Sequence, residues 1–201
     1  MTQAASGQTD SNPPTAKKIM LIRHAEKPPN DPPPSGVNSK GDQIGESLIV
    51  QGWQRAGALV VFFAPSNGPF QSPHIATPQT IYASQTAEHS RSRRPQETVT
   101  PLINKLRGAS VQVNFDFPKG QEDRVAESAL ACEGVVLICW DRHNIPKITN
   151  HFPISKNNTT PVPDEWPDDR YDVVWCFDLD RVGAYIFNQI PQLLLAGDTP
   201  I

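Results

Sequence analysis

No stretch of the 201-residue chain approaches the roughly 18 consecutive apolar residues of a membrane-spanning helix. Basic residues are not in excess either. The 18 Lys and Arg stand against 21 Asp and Glu, a net charge of −3, so no broad positive field awaits nucleic acid or an anionic membrane. Cysteine is scarce. Cys132, Cys139 and Cys176 lie in apolar runs without metal-ligand spacing, which excludes a disulfide framework and a thiolate metal site. They read as buried, reduced thiols, and the expected location is cytoplasmic. Residues 1–16 lack the apolar core of a secretory signal and read as a polar, disordered N-terminal arm. No internal repeat is visible. The remaining length, 17–201, suits a single domain.

Proline is plentiful, at 21 residues, and it concentrates between apolar segments. Ala25–Gly45 carries Pro28-Pro29 and Pro32-Pro33-Pro34 and cannot be a regular helix. Ser155–Asp169 is a second long polar loop. Loops of this length tend to be functional, so the first reads as the wall of a pocket. Between the loops the periodicity alternates. Lys17–Arg23, Thr80–Ser84, Ser110–Phe115 and Gly134–Trp140 read as strands. Helices are expected over Leu48–Phe63, from Arg94 to the stop at Gly108, over Gly120–Ala131 and over Asn144–Phe152. Tyr171–Phe177 and Gly183–Ile190 read as a closing antiparallel pair, after which Leu193-Leu194-Leu195 docks on the core. This order predicts an α/β fold, a three-layer α/β/α sandwich with a mostly parallel central sheet and an antiparallel edge strand.

Two apolar strands stop abruptly at chemistry-bearing residues. Ile19-Met20-Leu21-Ile22 runs into Arg23-His24-Ala25-Glu26-Lys27, and Gly134–Trp140 runs into Asp141-Arg142-His143. Buried strands present ligand residues at their carboxyl ends. A guanidinium holds phosphate oxygens bidentately, and an imidazole can attack a phosphoryl group. A third basic cluster, Arg91-Ser92-Arg93-Arg94, precedes Pro95, which suits the first turn of a helix. Arg94 would then stand at a helix N-terminus, itself favourable for an anion. Arg91 and Arg93 compete with it. Gly52, inside an expected helix, weakens that helix by about 1 kcal/mol relative to Ala; it reads either as room for a close backbone approach or as a tolerated defect.

Leu21-Ile22-Arg23-His24-Ala25-Glu26-Lys27-Pro28 resembles the opening motif of the histidine phosphatase superfamily, the phosphoglycerate-mutase-like proteins, in its small phosphatase-like branch. Gln51–Leu59 resembles that family's Thr-x-x-Gly-x-x-Gln-Ala-x-x-Leu helix, and Arg94–Thr98 its Arg-x-x-x-Thr segment. The resemblance implies a pocket of two arginines and two histidines around a phosphoryl group, with no cofactor and no metal. By motif, His24 is the transiently phosphorylated nucleophile, and Arg23 and Arg94 are catalytic and phosphate-binding. The branch's closing motif, Cys-Trp-x-His-x-x-Ile-Pro, matches Cys139-Trp140 and Ile145-Pro146, but its histidine column holds Arg142. Either His143 enters the pocket as the second histidine, or Arg142 fills the place and binds phosphate. Glu122 is the candidate proton donor, with Asp123 and Asp141 as rivals, and Glu26 is a candidate for orienting the first motif. The implied function is a metal-independent phosphatase acting on a small phosphorylated substrate and releasing inorganic phosphate. A catalytically impaired relative that binds a phosphorylated ligand or protein is the alternative, and a phosphoglycerate-type mutase ranks third.

Overall fold

The computed structural model describes residues 13–201 except 32 and 168. The expected arm therefore lies, for residues 1–12, outside the described residues. Order sets in earlier than expected. Ala16 is fully buried as the first residue of β1 (Ala16–Arg23), and the Thr15 N–H donates to the Leu130 carbonyl at 2.9 Å.

The elements then follow as α1 (Val50–Phe63), β2 (Thr80–Ala83), α2 (Arg94–Leu106), β3 (Gln112–Asn114), α3 (Glu122–Leu130), β4 (Gly134–Trp140), α4 (Ile145–Thr149), β5 (Val173–Leu179) and β6 (Tyr185–Pro191). One six-stranded sheet has the order β3-β2-β4-β1-β5-β6. Its first four strands are parallel, β5 opposes β1, and β6 opposes β5. Alternation along the strands builds the layers, because successive side chains leave opposite faces. Met20, Ile22, Leu137, Cys139, Val174 and Cys176 pack with Leu59, Phe63, Val99 and Leu102 of α1 and α2. Ile19, Leu21, Val136, Ile138, Trp140 and Trp175 pack with Val125, Ala129, Ile145 and Ile148 of α3 and α4. The fold is thus α/β, with helices on both faces of a mostly parallel sheet.

Several expectations need adjusting. β3 is only three residues long and lies at the sheet edge, so Val113 stays 42% exposed. Cys132 is half-buried, unlike the fully buried Cys139 and Cys176. Of the three closing leucines, Leu194 packs on the α1/α2 core, whereas Leu193 turns outward with a positive φ of 53°.

The first long loop is anchored to two helices. The Trp53 indole N–H of α1 donates to the Val37 carbonyl at 2.8 Å. At the loop's far end the Glu97 carboxylate accepts the Ser47 hydroxyl at 2.8 Å and the Leu48 N–H at 2.9 Å. Gly52 shows what docks there. A Cβ at that position would lie 2.5 Å from the Glu26 carbonyl oxygen and 3.1 Å from the Leu48 Cβ. The glycine lets the start of α1 close on the turn that follows β1. Gly57, on the exposed side of the same helix, has nothing within 4 Å of such a Cβ. The pair makes an internal control. Gly52→Ala should destabilise the fold by about 1–3 kcal/mol through overpacking, whereas Gly57→Ala should stabilise it by up to about 1 kcal/mol. Urea midpoints of the two variants check both signs.

Candidate active site

β1 and β4 end side by side, with Arg23 paired to Trp140 in register. The His24 N–H donates to the Trp140 carbonyl at 2.9 Å, which extends the pairing one residue beyond β1. Next, the Ala25 N–H donates to the Thr98 hydroxyl at 2.9 Å, and that hydroxyl donates to the Arg94 carbonyl at 2.7 Å. Glu26 accepts the Ile49 N–H on its carbonyl, and its carboxylate pairs with Arg55 at 2.8 Å. Each residue from His24 to Glu26 is therefore fixed by a partner from a different element.

His24 is buried, with a relative exposure of 6%. Its Nδ1 lies 2.8 Å from the Ala25 carbonyl oxygen. A carbonyl only accepts, so the proton sits on Nδ1 and the Nε2 lone pair is left available. Burial, followed by the charges of Arg23 and Arg94, lowers the His24 pKa to about 3, although the Ala25 bond and Asp141 act against the shift. The ring is neutral at any ordinary pH.

Arg23 lies across the Tyr171 ring, with its guanidinium carbon 3.8 Å from the ring centroid, and it donates to the Arg170 carbonyl at 3.2 Å. Tyr171 also flanks His24, with 6.2 Å between ring centroids. Arg94 is half-buried, while Arg91 and Arg93 are exposed. Its guanidinium donates to the Gly45 carbonyl at 2.6 Å and the Ser47 carbonyl at 3.2 Å, which ties the proline-rich wall to the first turn of α2. Positive charge accumulates here. Burial and the neighbouring Arg94, Arg23, Arg142 and Lys119 together depress the Lys27 pKa. Several cations converging on one place favour an anion between them.

Asp141 follows β4 and faces this cluster. Burial alone would raise its pKa, but Lys119 at 3.0 Å, the Asn144 amide and the His143 N–H outweigh that and keep it ionised. Such a carboxylate serves as a charge and an anchor. Glu122 is placed differently. Its oxygens accept the Gly120 N–H at 3.1 Å and the Trp140 indole N–H at 3.2 Å, which ties the start of α3 to the end of β4. Arg142 Nε donates to His143 Nε2 at 3.2 Å. Arg142 belongs to the cationic neighbourhood of Lys27, whereas the exposed His143 lines a cleft with Lys147, Glu165 and Trp166.

The structure thus brings Arg23, His24 and Arg94 together, adds Arg142 at the margin, and leaves His143 and Glu122 in other contacts. Sequence reasoning missed Lys27, Lys119 and Tyr171. The closeness of Lys27 to His24 in the chain was a usable signal, whereas Tyr171 emerges from an unpatterned loop. Among the described residues no helix is long and apolar enough to cross a membrane, and no group of three or more His, Cys, Asp and Glu side chains is arranged to hold a metal.

No protein-family model and no curated protein matches the chain. Solved structures do. The protein histidine phosphatase SixA in complex with tungstate shares 11% identity at a TM-score of 0.47, covering 87% of this chain and 97% of its own. A candidate alpha-ribazole-5′-phosphate phosphatase from Escherichia coli shares 14% at 0.44, covering 88% and 96%. A candidate phosphohistidine phosphatase SixA from Agrobacterium tumefaciens shares 12% at 0.37, covering 81% and 92%. At such identities and scores, what the site does is read from its own residues.

The depressed pKa has a direct readout. The His24 ring signals in an NMR titration should stay in the neutral form until the pH nears 3. Arg94→Met removes one of the opposing charges and should move the His24 midpoint upward. An unmoved midpoint would show that the Arg94 charge has no part in the shift. Unfolded His24 regains its ordinary pKa, so the unfolded chain binds more protons below pH 6.5. This residue's contribution to stability therefore falls as the pH drops from 6.5 toward 3.

Proposed function

We propose that the chain is a phosphatase that hydrolyses a phosphomonoester through a phosphohistidine on His24. The observation that carries this reading is the His24 tautomer. Nδ1–H is committed to the Ala25 carbonyl, so the lone pair on Nε2 stays unprotonated beside two buried or half-buried arginines. Nε2 attacks phosphorus as the bond to the alcohol oxygen breaks, and that oxygen leaves with a proton. Water then attacks the phosphohistidine, inorganic phosphate departs and Nε2 regains its lone pair. Arg23 and Arg94 neutralise the equatorial oxygens, where charge spreads in the transition state. Lys27 and Arg142 extend that positive field. Asp141, anchored by Lys119, compensates the positive charge that the ring gains on phosphorylation.

The site favours one other reading. By motif Arg142 falls in the second-histidine column, and the adjacent His143 accepts a hydrogen bond from Arg142 Nε on its Nε2 at 3.2 Å. Guanidinium binds phosphate but exchanges no protons. A chain built this way could hold a phosphorylated ligand without turning it over.

Turnover of p-nitrophenyl phosphate separates the two. The phosphatase reading expects turnover by the unaltered chain and a loss of at least about a thousandfold in His24→Ala. Absent turnover, restored by Arg142→His, would favour the binding protein. Glu122→Gln addresses the leaving-group proton. If Glu122 supplies it, hydrolysis of alkyl phosphates should fall about a hundredfold or more, while p-nitrophenyl phosphate, whose alcohol leaves without help, stays nearly unchanged. Equal losses on both substrates would confine Glu122 to anchoring Trp140.

A further inference from the structure

The turn that carries His24 also borders a cleft of about 290 Å³. Glu26 and Arg55 line it, and Asp169, Arg170, Asp172 and Asp198 complete its charged lining. The charges do not balance. Arg170 is paired with Asp172, donating from Nε at 2.6 Å and from Nη2 at 3.0 Å. Arg55 serves two carboxylates, Glu26 at 2.8 Å and Asp198 at 2.7 Å. Asp169 is exposed and adds another. Four carboxylates thus face two guanidinium groups, with one in excess beside Arg55 and one at the rim.

Exposed acids are met by water, but Glu26 is not exposed. It is 7% accessible. Its Oε1 accepts from Arg55 Nε at 2.9 Å, while its Oε2 is buried and accepts no hydrogen bond. Among the described residues it is the one buried carboxylate oxygen in that state. A buried charged acceptor left without a donor is costly, and native proteins rarely leave one so. Arg55 has no nitrogen to spare, since all three are engaged with Glu26 Oε1, Gln192 and Asp198. A donor from outside the chain reaches Glu26 through the cleft that it lines.

We propose that this cleft binds a short aliphatic diamine, with one primary ammonium donating to Glu26 Oε2 and the other directed to Asp169. Two positive charges match the excess of two, and the N–H groups meet an acceptor that charge alone would leave unbonded. The volume lies at the lower end of small-molecule sites and suits an occupant of few heavy atoms. The site is separate from the phosphate pocket and independent of the phosphatase reading. Tyr171 is common to both, lining the cleft and lying across Arg23.

Calorimetric titration of the full chain tests this without turnover. The probes are 1,4-diaminobutane, butylamine with one ammonium, and the N-hexamethylated diamine, which keeps both charges and has no N–H. The diamine should bind once per chain, about twofold to fivefold tighter than butylamine, the scale of one exposed charge pair. It should bind about tenfold or more tighter than the hexamethylated compound, which cannot donate to Glu26. Asp169→Asn should remove the advantage over butylamine. Asp164→Asn, an exposed acid outside the cleft, should leave all three affinities within about twofold. Glu26→Gln should weaken the diamine about tenfold or more and bring the two dications to similar affinity. If circular dichroism shows Glu26→Gln unfolded, the comparison of the two dications on the unaltered chain decides the same point. Non-saturable diamine binding, equal affinity for the two dications on the unaltered chain, or an equal response to Asp164→Asn and Asp169→Asn would overturn the assignment and leave water as the donor to Glu26.

Discussion

The hydrogen bond from the His24 ring to the Ala25 carbonyl, 2.8 Å long, can form only if the turn after β1 is held rigid. That constraint accounts for much of the surrounding structure. Trp140 takes the His24 N–H, Thr98 takes the Ala25 N–H, and the Glu26 carbonyl takes the Ile49 N–H. Gly52 opens the space that the turn occupies. Behind it, Arg55 binds Glu26 and also Asp198 at 2.7 Å, so the C-terminal segment is drawn onto the same turn. A buried pair of this kind offsets its desolvation only with good geometry and further hydrogen bonds. Here Gln192 supplies one, accepting from Arg55 at 3.0 Å.

Rigidity at the backbone meets an unusual electrostatic setting. Cations outnumber carboxylates around His24, and the carboxylate that acts on its charge, Asp141, is itself paired with Lys119. Burial and these charges both favour the neutral ring. The cost of crowding Arg23, Lys27, Arg94 and Arg142 together falls when an anion with several oxygens lies between them. Tyr171 complements this on the outer side, offering its ring face to Arg23 without adding negative charge.

Much of this frame was legible in the sequence. Apolar runs bounded by proline and charge marked β1 and β4, and their ends marked the site, because buried strands expose function where they stop. The helical stripe of α1 and the Arg94-Pro95 start of α2 were equally readable, since local chemistry fixes both. Other parts depend on partners remote in the chain. Whether Arg142 or His143 faces the site is decided by side-chain packing, and an adjacent pair leaves a strand end with no periodicity to rank them. Glu122 was the candidate acid because the resemblance implies a mid-chain Glu or Asp in that role, yet Trp140, eighteen residues on, engages it. Tyr171 and Leu193 lie in segments whose conformation comes from tertiary contacts rather than from local pattern. The short, exposed β3 shows the same limit, since an edge strand needs little apolar sequence.

The central claim is that His24 carries the phosphoryl group, and the most direct measurement is to look for that group on the chain. Unaltered protein, mixed rapidly with radiolabelled p-nitrophenyl phosphate and quenched in alkali, where phosphohistidine survives, is digested and mapped by mass spectrometry. One phosphoryl group on the peptide that contains His24, linked to the ring and absent from His24→Ala, is the result expected. Turnover without label at His24, or label of equal amount in His24→Ala, would contradict the account.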